Sequence, residues 1–208
     1  MNIRTGSALM AGLVLAAPRI HGQAVRTLDA VAIQRAMAVG ASTARLEPYA
    51  ITAQTSGLSK GRGDTAIGVY TTPYLRVALA ARDAKKLYRP FTAADVTEAM
   101  VRPVMEVFGL SQPQETFLSG RTGVIGNVRE ILITRVGGQG GATRPIESVP
   151  IPMIWKNLLG FSAESDGLMA TFPIELLTAE NELHVIYDIK VKRLCDDCVM
   201  RFKPDKVK

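Results

Sequence analysis

The chain has 208 residues, of which 47% are hydrophobic and 21% are charged, and its formal net charge at pH 7 is +6. This composition is typical of an ordinary globular protein and excludes an intrinsically disordered chain. A positive charge of this size on a chain of this length is a normal contribution to solubility, so it indicates no nucleic-acid partner.

The first 24 residues are arranged like an export signal. Arg4 is followed by an unbroken apolar stretch over residues 8–17, and the segment ends in the small-residue sequence 22–24. A charged start, a short apolar helix and small residues at a cleavage site are what translocation and signal peptidase require. The sequence therefore predicts a signal peptide at 1–24 and a periplasmic or secreted mature chain. That chain would carry +4, because residues 1–24 contain Arg4, Arg19 and no acid.

Two alternatives to cleavage stay open, a retained membrane anchor and an ordinary buried N-terminal helix. Ten apolar residues make a helix only about 15 Å long, which is half of a hydrocarbon core roughly 30 Å thick. We therefore expect no stable membrane span. The length that remains, residues 25–208, predicts a single globular domain.

The first predicted elements after the leader are a helix and two strands. Thr27 is placed to cap a helix that Gly40 would end. The apolar positions of this helix are Leu28, Val31, Ala32, Ala36 and Val39. Strands are predicted at 49–55 and 65–71, because β-branched and aromatic residues are frequent there, with a loop at 56–64 between them.

A second helix has the clearest boundaries. Thr72 is its predicted cap, Pro73 occupies the first helical position, and the pattern runs on to Pro90. The predicted core side holds Tyr74, Val77, Ala78, Ala81 and Tyr88, and the predicted water side holds Arg76, Asp83 and Lys86. Thr92 and Asp95 then have capping-box spacing, which predicts a brief helical turn to about Ala99.

Strands and turns dominate from about residue 101 onward. A strand is predicted at 130–136, and the glycine-rich segment 137–142 predicts a connection. Pro150 and Pro152 lie two residues apart in an otherwise strand-like segment, which predicts an edge strand because proline has no N–H to donate. Segments 170–177 and 183–191 are predicted to pair as a hairpin through 178–182.

These elements predict an α+β fold, in which a helix-containing N-terminal half precedes an antiparallel β-sheet or sandwich. Strands and helices alternate too poorly for a parallel, doubly wound sheet. We treat residues 25–208 as one unit, with a seam possible near 111–126.

The two cysteines form the only constellation with chemical content, Cys195-Asp-Asp-Cys198. In an oxidising compartment such a pair is expected to form a disulfide. If the strand from 183 to 194 turned back through Asp196-Asp197, the sulfurs would face each other across a two-residue turn. The alternatives are a thiol-redox pair, which two intervening acids disfavour because they oppose the thiolate, half of a metal site, and two free thiols.

Histidine is nearly absent, and this restricts the available chemistry. His184 is the only imidazole beyond the predicted leader, so any triad would need it, and we interpret it as a partly exposed sheet residue. No motif for a nucleophile, a phosphate loop or a dinucleotide is present, so we predict no cofactor. The sequence favours a non-catalytic exported protein that binds an unknown protein or envelope component. The alternative is an envelope thiol-redox or metal-binding protein that uses Cys195 and Cys198.

Overall fold

The computed structural model describes residues 28–43, 45–56, 62–115, 122–138, 140–156, 162–188 and 197–204. The elements in chain order are α1 (Ala30–Ala41), β1 (Tyr49–Ser56), β2 (Arg62–Thr71), α2 (Pro73–Lys86), a 3-10 turn (Ala93–Asp95), α3 (Glu98–Val101), β3 (Val104–Gly109), β4 (Gln112–Glu115), β5 (Thr122–Gly126), β6 (Val128–Arg135), β7 (Glu147–Lys156), β8 (Ser162–Pro173), a 3-10 turn (Ile174–Leu176), β9 (Asn181–Tyr187) and β10 (Asp197–Arg201). The predicted leader lies outside the described residues.

The described strands form antiparallel sheets. A five-stranded sheet has the order β1-β2-β3-β8-β7, a three-stranded sheet has the order β10-β9-β6, and β4 pairs with β5. The protein therefore has a mixed α+β fold with antiparallel sheets, as the sequence predicts. Within the described ranges, every helix falls short of the length and apolar character that crossing a bilayer would require.

Both main sheets contribute to one hydrophobic core. Its fully buried side chains include Phe172 and Met105 from the five-stranded sheet and Ile131, Leu183 and Val185 from the three-stranded sheet. On β9 the buried residues alternate with partly exposed ones, because successive side chains of a strand point to opposite faces. The three-stranded sheet thus keeps one face in the core and turns the other outward.

The predicted start of α2 is confirmed. The Thr72 hydroxyl accepts a hydrogen bond from the Leu75 backbone N–H at 3.4 Å, and Pro73 is the first helical residue. The predicted capping box is confirmed as well, since the Asp95 carboxylate accepts from both the Thr92 N–H (2.7 Å) and its hydroxyl (2.8 Å). Local capping chemistry was sufficient to predict these two sites.

The predicted helix is confirmed as α1, and Leu28 and Ala36 of its predicted apolar side contribute to the helical core, but its predicted boundaries are wrong. Asp29, whose carboxylate accepts from the Ala32 N–H at 2.7 Å, is the cap. Gly40 lies inside the helix, where a Cβ atom would collide with the Ala78 carbonyl oxygen of α2. Glycine is therefore used here for close helix packing, while Val31, predicted to be buried, is 57% exposed.

Two side chains of α2 lie opposite to their predicted sides. Tyr88 falls beyond the end of the helix at Lys86, and its side chain is 97% exposed. Arg76 was expected in water, but its side chain is only 11% exposed because it packs over β3. Helical periodicity predicts neither the end of α2 at Lys86 nor the ion pair of Arg76 with Glu106 of β3.

The strand predictions have mixed outcomes. Strands at 49–55 and 65–71 are confirmed as β1 and β2, which pair antiparallel. The edge prediction is also confirmed, because β7, which carries Pro150 and Pro152, ends the five-stranded sheet. Gly137, Gly138 and Gly140 have positive φ, which agrees with the predicted connection.

The predicted hairpin of 170–177 with 183–191 is wrong. Residues 170–173 end β8, which pairs with β3 and β7, and a 3-10 turn follows. Strand β9 pairs instead with β6 and β10 in the other sheet. The polar connector thus carries the chain from one sheet to the other, which adjacency in sequence does not distinguish from a hairpin.

Candidate functional site

The two predicted site residues have different outcomes. Cys198 lies in β10, is 0% exposed and belongs to the hydrophobic core. Cys195 lies outside the described residues, so the disulfide stays a prediction. The two-residue turn at Asp196-Asp197 is wrong, because Asp197 already belongs to β10 and is paired with Ile186 of β9.

His184 and Asp197 meet on the outward face of the three-stranded sheet. The His184 Nδ1 atom lies 2.9 Å and 3.1 Å from the two carboxylate oxygens of Asp197. Its Nε2 atom lies 3.0 Å from the Thr134 hydroxyl oxygen of β6. Asp197, the second acid of the Cys-Asp-Asp-Cys segment, therefore contacts His184. The sequence did not predict this contact.

A second acid and a base extend this group, which we call the His184 cluster: Thr134, Glu182, His184, Asp197 and Arg201. The Glu182 carboxylate lies 3.8 Å from His184 Nε2 and 3.9 Å from Arg201 Nε. Strand register accounts for the meeting, because Glu182 is paired with both Thr134 and Arg201 across the sheet. The His184 cluster links all three strands through their side chains.

The order carboxylate, imidazole, hydroxyl is also the order of a hydrolase triad, in which the hydroxyl gives its proton to the imidazole. The Thr134 hydroxyl oxygen also lies 3.3 Å from the Arg135 carbonyl oxygen, so its one hydrogen can go to that carbonyl or to His184 Nε2. In either case the contact joins β6 to β9 and braces the sheet. His184, whose side chain is 15% exposed, is a partly exposed sheet residue, as the sequence predicts.

A second ionic group joins α2 to β3. The Arg76 guanidinium donates to the carbonyl oxygens of Arg102 (2.8 Å), Val104 (3.1 Å) and Met100 (3.3 Å), and lies 3.5 Å from a Glu106 oxygen. Burial lowers the pKa of Arg76, and the Glu106 carboxylate opposes that change. These contacts fix α2 to β3 and have a structural role. The only sign of them in the sequence is an arginine between two apolar neighbours, Leu75 and Val77.

At the free edge of the five-stranded sheet, four of five alternate residues form an exposed, mostly apolar row, which we call the apolar row: Ile146, Pro150, Pro152 and Ile154, with Ser148 between the first two. Ile146 is 56% exposed and Ile154 is 67% exposed. Pro150 is paired with Leu168, a core residue of β8, so the row continues the core-facing side of the sheet outward. The core-facing side of the sheet is therefore buried at the centre of the sheet and exposed at this edge.

No acid-rich metal centre accompanies these features: among the described residues, no three His, Cys, Asp or Glu side chains are grouped to hold a metal ion. Comparison of the chain with known family models, with curated proteins and with solved structures gave no match.

Proposed function

We propose that this protein is exported and works without catalysis, as an interaction or structural module of the periplasm or cell surface. The leader-like sequence of residues 1–24 supports export. The two facing sheets would form a sandwich-like scaffold for surface recognition. The partner is an envelope protein or another envelope component.

The burial of Cys198 is the observation that carries this proposal. The attacking cysteine of a thiol-redox pair must be accessible to a second thiol and needs surroundings that favour its thiolate. The Cys198 side chain is 0% exposed in an apolar core, and its chain neighbour Asp197 is an acid. Both properties argue against Cys198 as the attacking thiol or as an accessible metal ligand, and so support a structural disulfide with Cys195.

The exposed apolar row supports an interaction role. Single exposed apolar residues are common, but a row along a sheet edge marks a contact surface. Pro150 and Pro152 have no N–H with which to bind an added strand. A partner would therefore cover the row with its side chains, and the prolines would discourage uncontrolled sheet extension.

The export proposal is tested on protein purified from the envelope fraction of a bacterial host. We expect the mature chain to begin near Val25, as read by intact-mass spectrometry. We also expect its mass to rise by two hydrogen atoms after reduction. Full-length protein found only in the cytosol, with Cys195 and Cys198 both reduced, would contradict the proposal.

The alternative function, envelope thiol-redox or metal chemistry through Cys195 and Cys198, is tested by the reduction potential of the pair. A structural disulfide has a potential below about −300 mV, whereas thiol oxidoreductases lie between about −270 and −120 mV. A value in the higher range, or stoichiometric zinc lost in Cys195→Ser, would favour the alternative. Cys198→Ala serves as the matched variant for the buried sulfur.

The interaction surface is tested by placing a photo-crosslinking residue at position 154, with exposed Glu175 as the matched control position. We expect a discrete crosslinked species in the envelope from position 154 only. The species should disappear when Ile146 is replaced by Asp, because the change puts a charge in the apolar row. Equal crosslinking from both positions would reject this surface.

A further inference from the structure

A cleft lies where α1 and α2 end. Its lining residues are Met37, Ala41, Ala81, Lys85, Tyr88, Arg89, Pro90 and Phe91, and its volume is about 450 Å³. Small-molecule sites span roughly 300 to 1,000 Å³. The cleft is therefore large enough for a small organic ligand.

The floor of the cleft is apolar. Met37 and Phe91 pack against the helical core formed around Ala36, Val77 and Ala78. Ala41 and Ala81 are small, so they leave space that a longer side chain would fill. A ligand in this space would contact methyl, thioether and aromatic groups.

The rim of the cleft is positively charged. Lys85 and Arg89 both line it, and no acid is among its lining residues. The Lys85 ammonium is held in place by a hydrogen bond to the Ala41 carbonyl oxygen at the end of α1. Arg89 forms no salt bridge within the described part of the chain. The Asp95 carboxylate is near enough for Arg89 to lower its pKa, but it does not line the cleft. The cleft thus combines an apolar floor with two cations that form no salt bridge within the described residues.

Tyr88 is an independent indication of a ligand. The Tyr88 N–H donates to the Lys85 carbonyl (3.0 Å) and the Arg89 N–H donates to the Ala84 carbonyl (2.9 Å). This pair of bonds ends a helix with a left-handed residue, usually glycine. Here the position is tyrosine with φ of 55°, and its ring is 97% exposed. Within the protein the ring gains no burial that would offset the unfavourable backbone conformation.

We propose that this cleft binds a small aromatic carboxylate. The carboxylate would pair with Arg89 and Lys85, since guanidinium and ammonium groups form charge-assisted hydrogen bonds with carboxylates. The aromatic body would lie on the floor between Met37 and Phe91, and the Tyr88 ring would cover it. This binding function is independent of export, because it is measured on purified protein.

The test is a titration of the purified protein with 3-phenylpropionate, followed by calorimetry and by the methyl resonance of Met37. We expect saturable binding that is at least about tenfold weaker for 3-phenylpropan-1-ol, which lacks the charge. Acetate, which lacks the ring, should give no saturable shift. Equal affinity for the acid and the alcohol, or no saturable shift with the acid, would overturn the proposal.

Variants locate the binding. Arg89→Gln should weaken 3-phenylpropionate binding about tenfold, whereas Lys86→Gln should leave it unchanged, because Lys86 pairs with Asp83 and does not line the cleft. Tyr88→Gly should weaken binding and raise the midpoint of urea unfolding, because glycine tolerates positive φ. If Lys86→Gln and Arg89→Gln weakened binding equally, the affinity would be nonspecific charge attraction and the site would be rejected.

Discussion

The two-sheet core and the helical pair α1–α2 are held together in opposite ways. The core is filled by large side chains such as Phe172, Met105 and Ile131, each fully buried. The helices approach each other through Gly40 and Ala78, where even a methyl group has no room. Stability therefore depends on side-chain volume in the core and on its absence between the helices.

The largest expected effect is the loss of volume from the core. Phe172→Ala should lower the free energy of unfolding by about 4 kcal/mol, because it removes a buried ring and leaves a cavity. Chemical denaturation measures the change. Val199→Ala, at a position 43% exposed, is the control and should cost far less. Similar losses for the two variants would contradict the proposed core.

The next effect concerns the ionic joint between the two regions. Arg76→Met should cost about 3 kcal/mol, because it leaves the partly buried Glu106 carboxylate with only the Thr71 hydroxyl as a partner and removes the donor to three carbonyl oxygens. Lys86→Met on the same helix, 64% exposed, should change stability little. If Arg76→Met were as mild as its control, α2 would not be fixed to β3 by this side chain.

Adding volume between the helices comes third. Gly40→Ala should destabilise the protein by about 2 kcal/mol through overpacking, although alanine is the better helix former. At exposed Ala38 of the same helix, Ala38→Gly should cost about 1 kcal/mol from helix propensity alone. A stabilising Gly40→Ala variant would show that α1 and α2 are less closely packed than described.

The His184 cluster should contribute a smaller amount. Thr134→Val removes the hydroxyl next to His184 and should cost about 1 kcal/mol in equilibrium unfolding, whereas Thr134→Ser keeps it and should cost less. Unchanged stability in both variants would show that the hydroxyl does not brace the sheet.

The smallest expected effect depends on pH. The Thr92 backbone N–H and then its hydroxyl lower the pKa of Asp95 from 3.8, so the folded state favours the carboxylate. A depressed folded pKa contributes stability that is present above about pH 4 and is lost as the pH falls through the folded value. Asp95→Asn should therefore melt slightly lower at pH 7 and equally at pH 2. Exposed Glu175→Gln controls for loss of a charge, and a deficit that persisted at pH 2 would contradict this account.

Local signals predicted several parts of the fold correctly. Thr72, Pro73 and the Thr92/Asp95 box act on backbone groups within one turn, so neighbouring residues contain the information. The two prolines of β7 likewise have no backbone N–H to donate, and this local property predicts an edge strand. The predicted Cys195–Cys198 disulfide and the export of the chain stay predictions.

The candidate sites were predicted only as separate pieces. His184 and the Cys-Asp-Asp-Cys segment were singled out from the sequence, but their contact through Asp197 depends on the pairing of β9 with β10. Helical periodicity predicts that Arg76 faces solvent, because the pattern contains no information about Glu106, which lies 30 positions away in the chain. The cleft could not be predicted from the sequence, because its lining comes from the ends of two helices and from the segment that follows α2.

The sequence by itself determined the Thr72 cap, the Thr92/Asp95 box, the glycine connection and the α+β class, because each follows from interactions over a few residues. Tertiary structure alone decided which sheet each strand joins, why Gly40 lies within a helix and which charges meet. Those outcomes depend on packing between segments that are distant in the chain. The apolar pattern of a strand specifies which of its faces is buried, but it does not specify which neighbour covers that face.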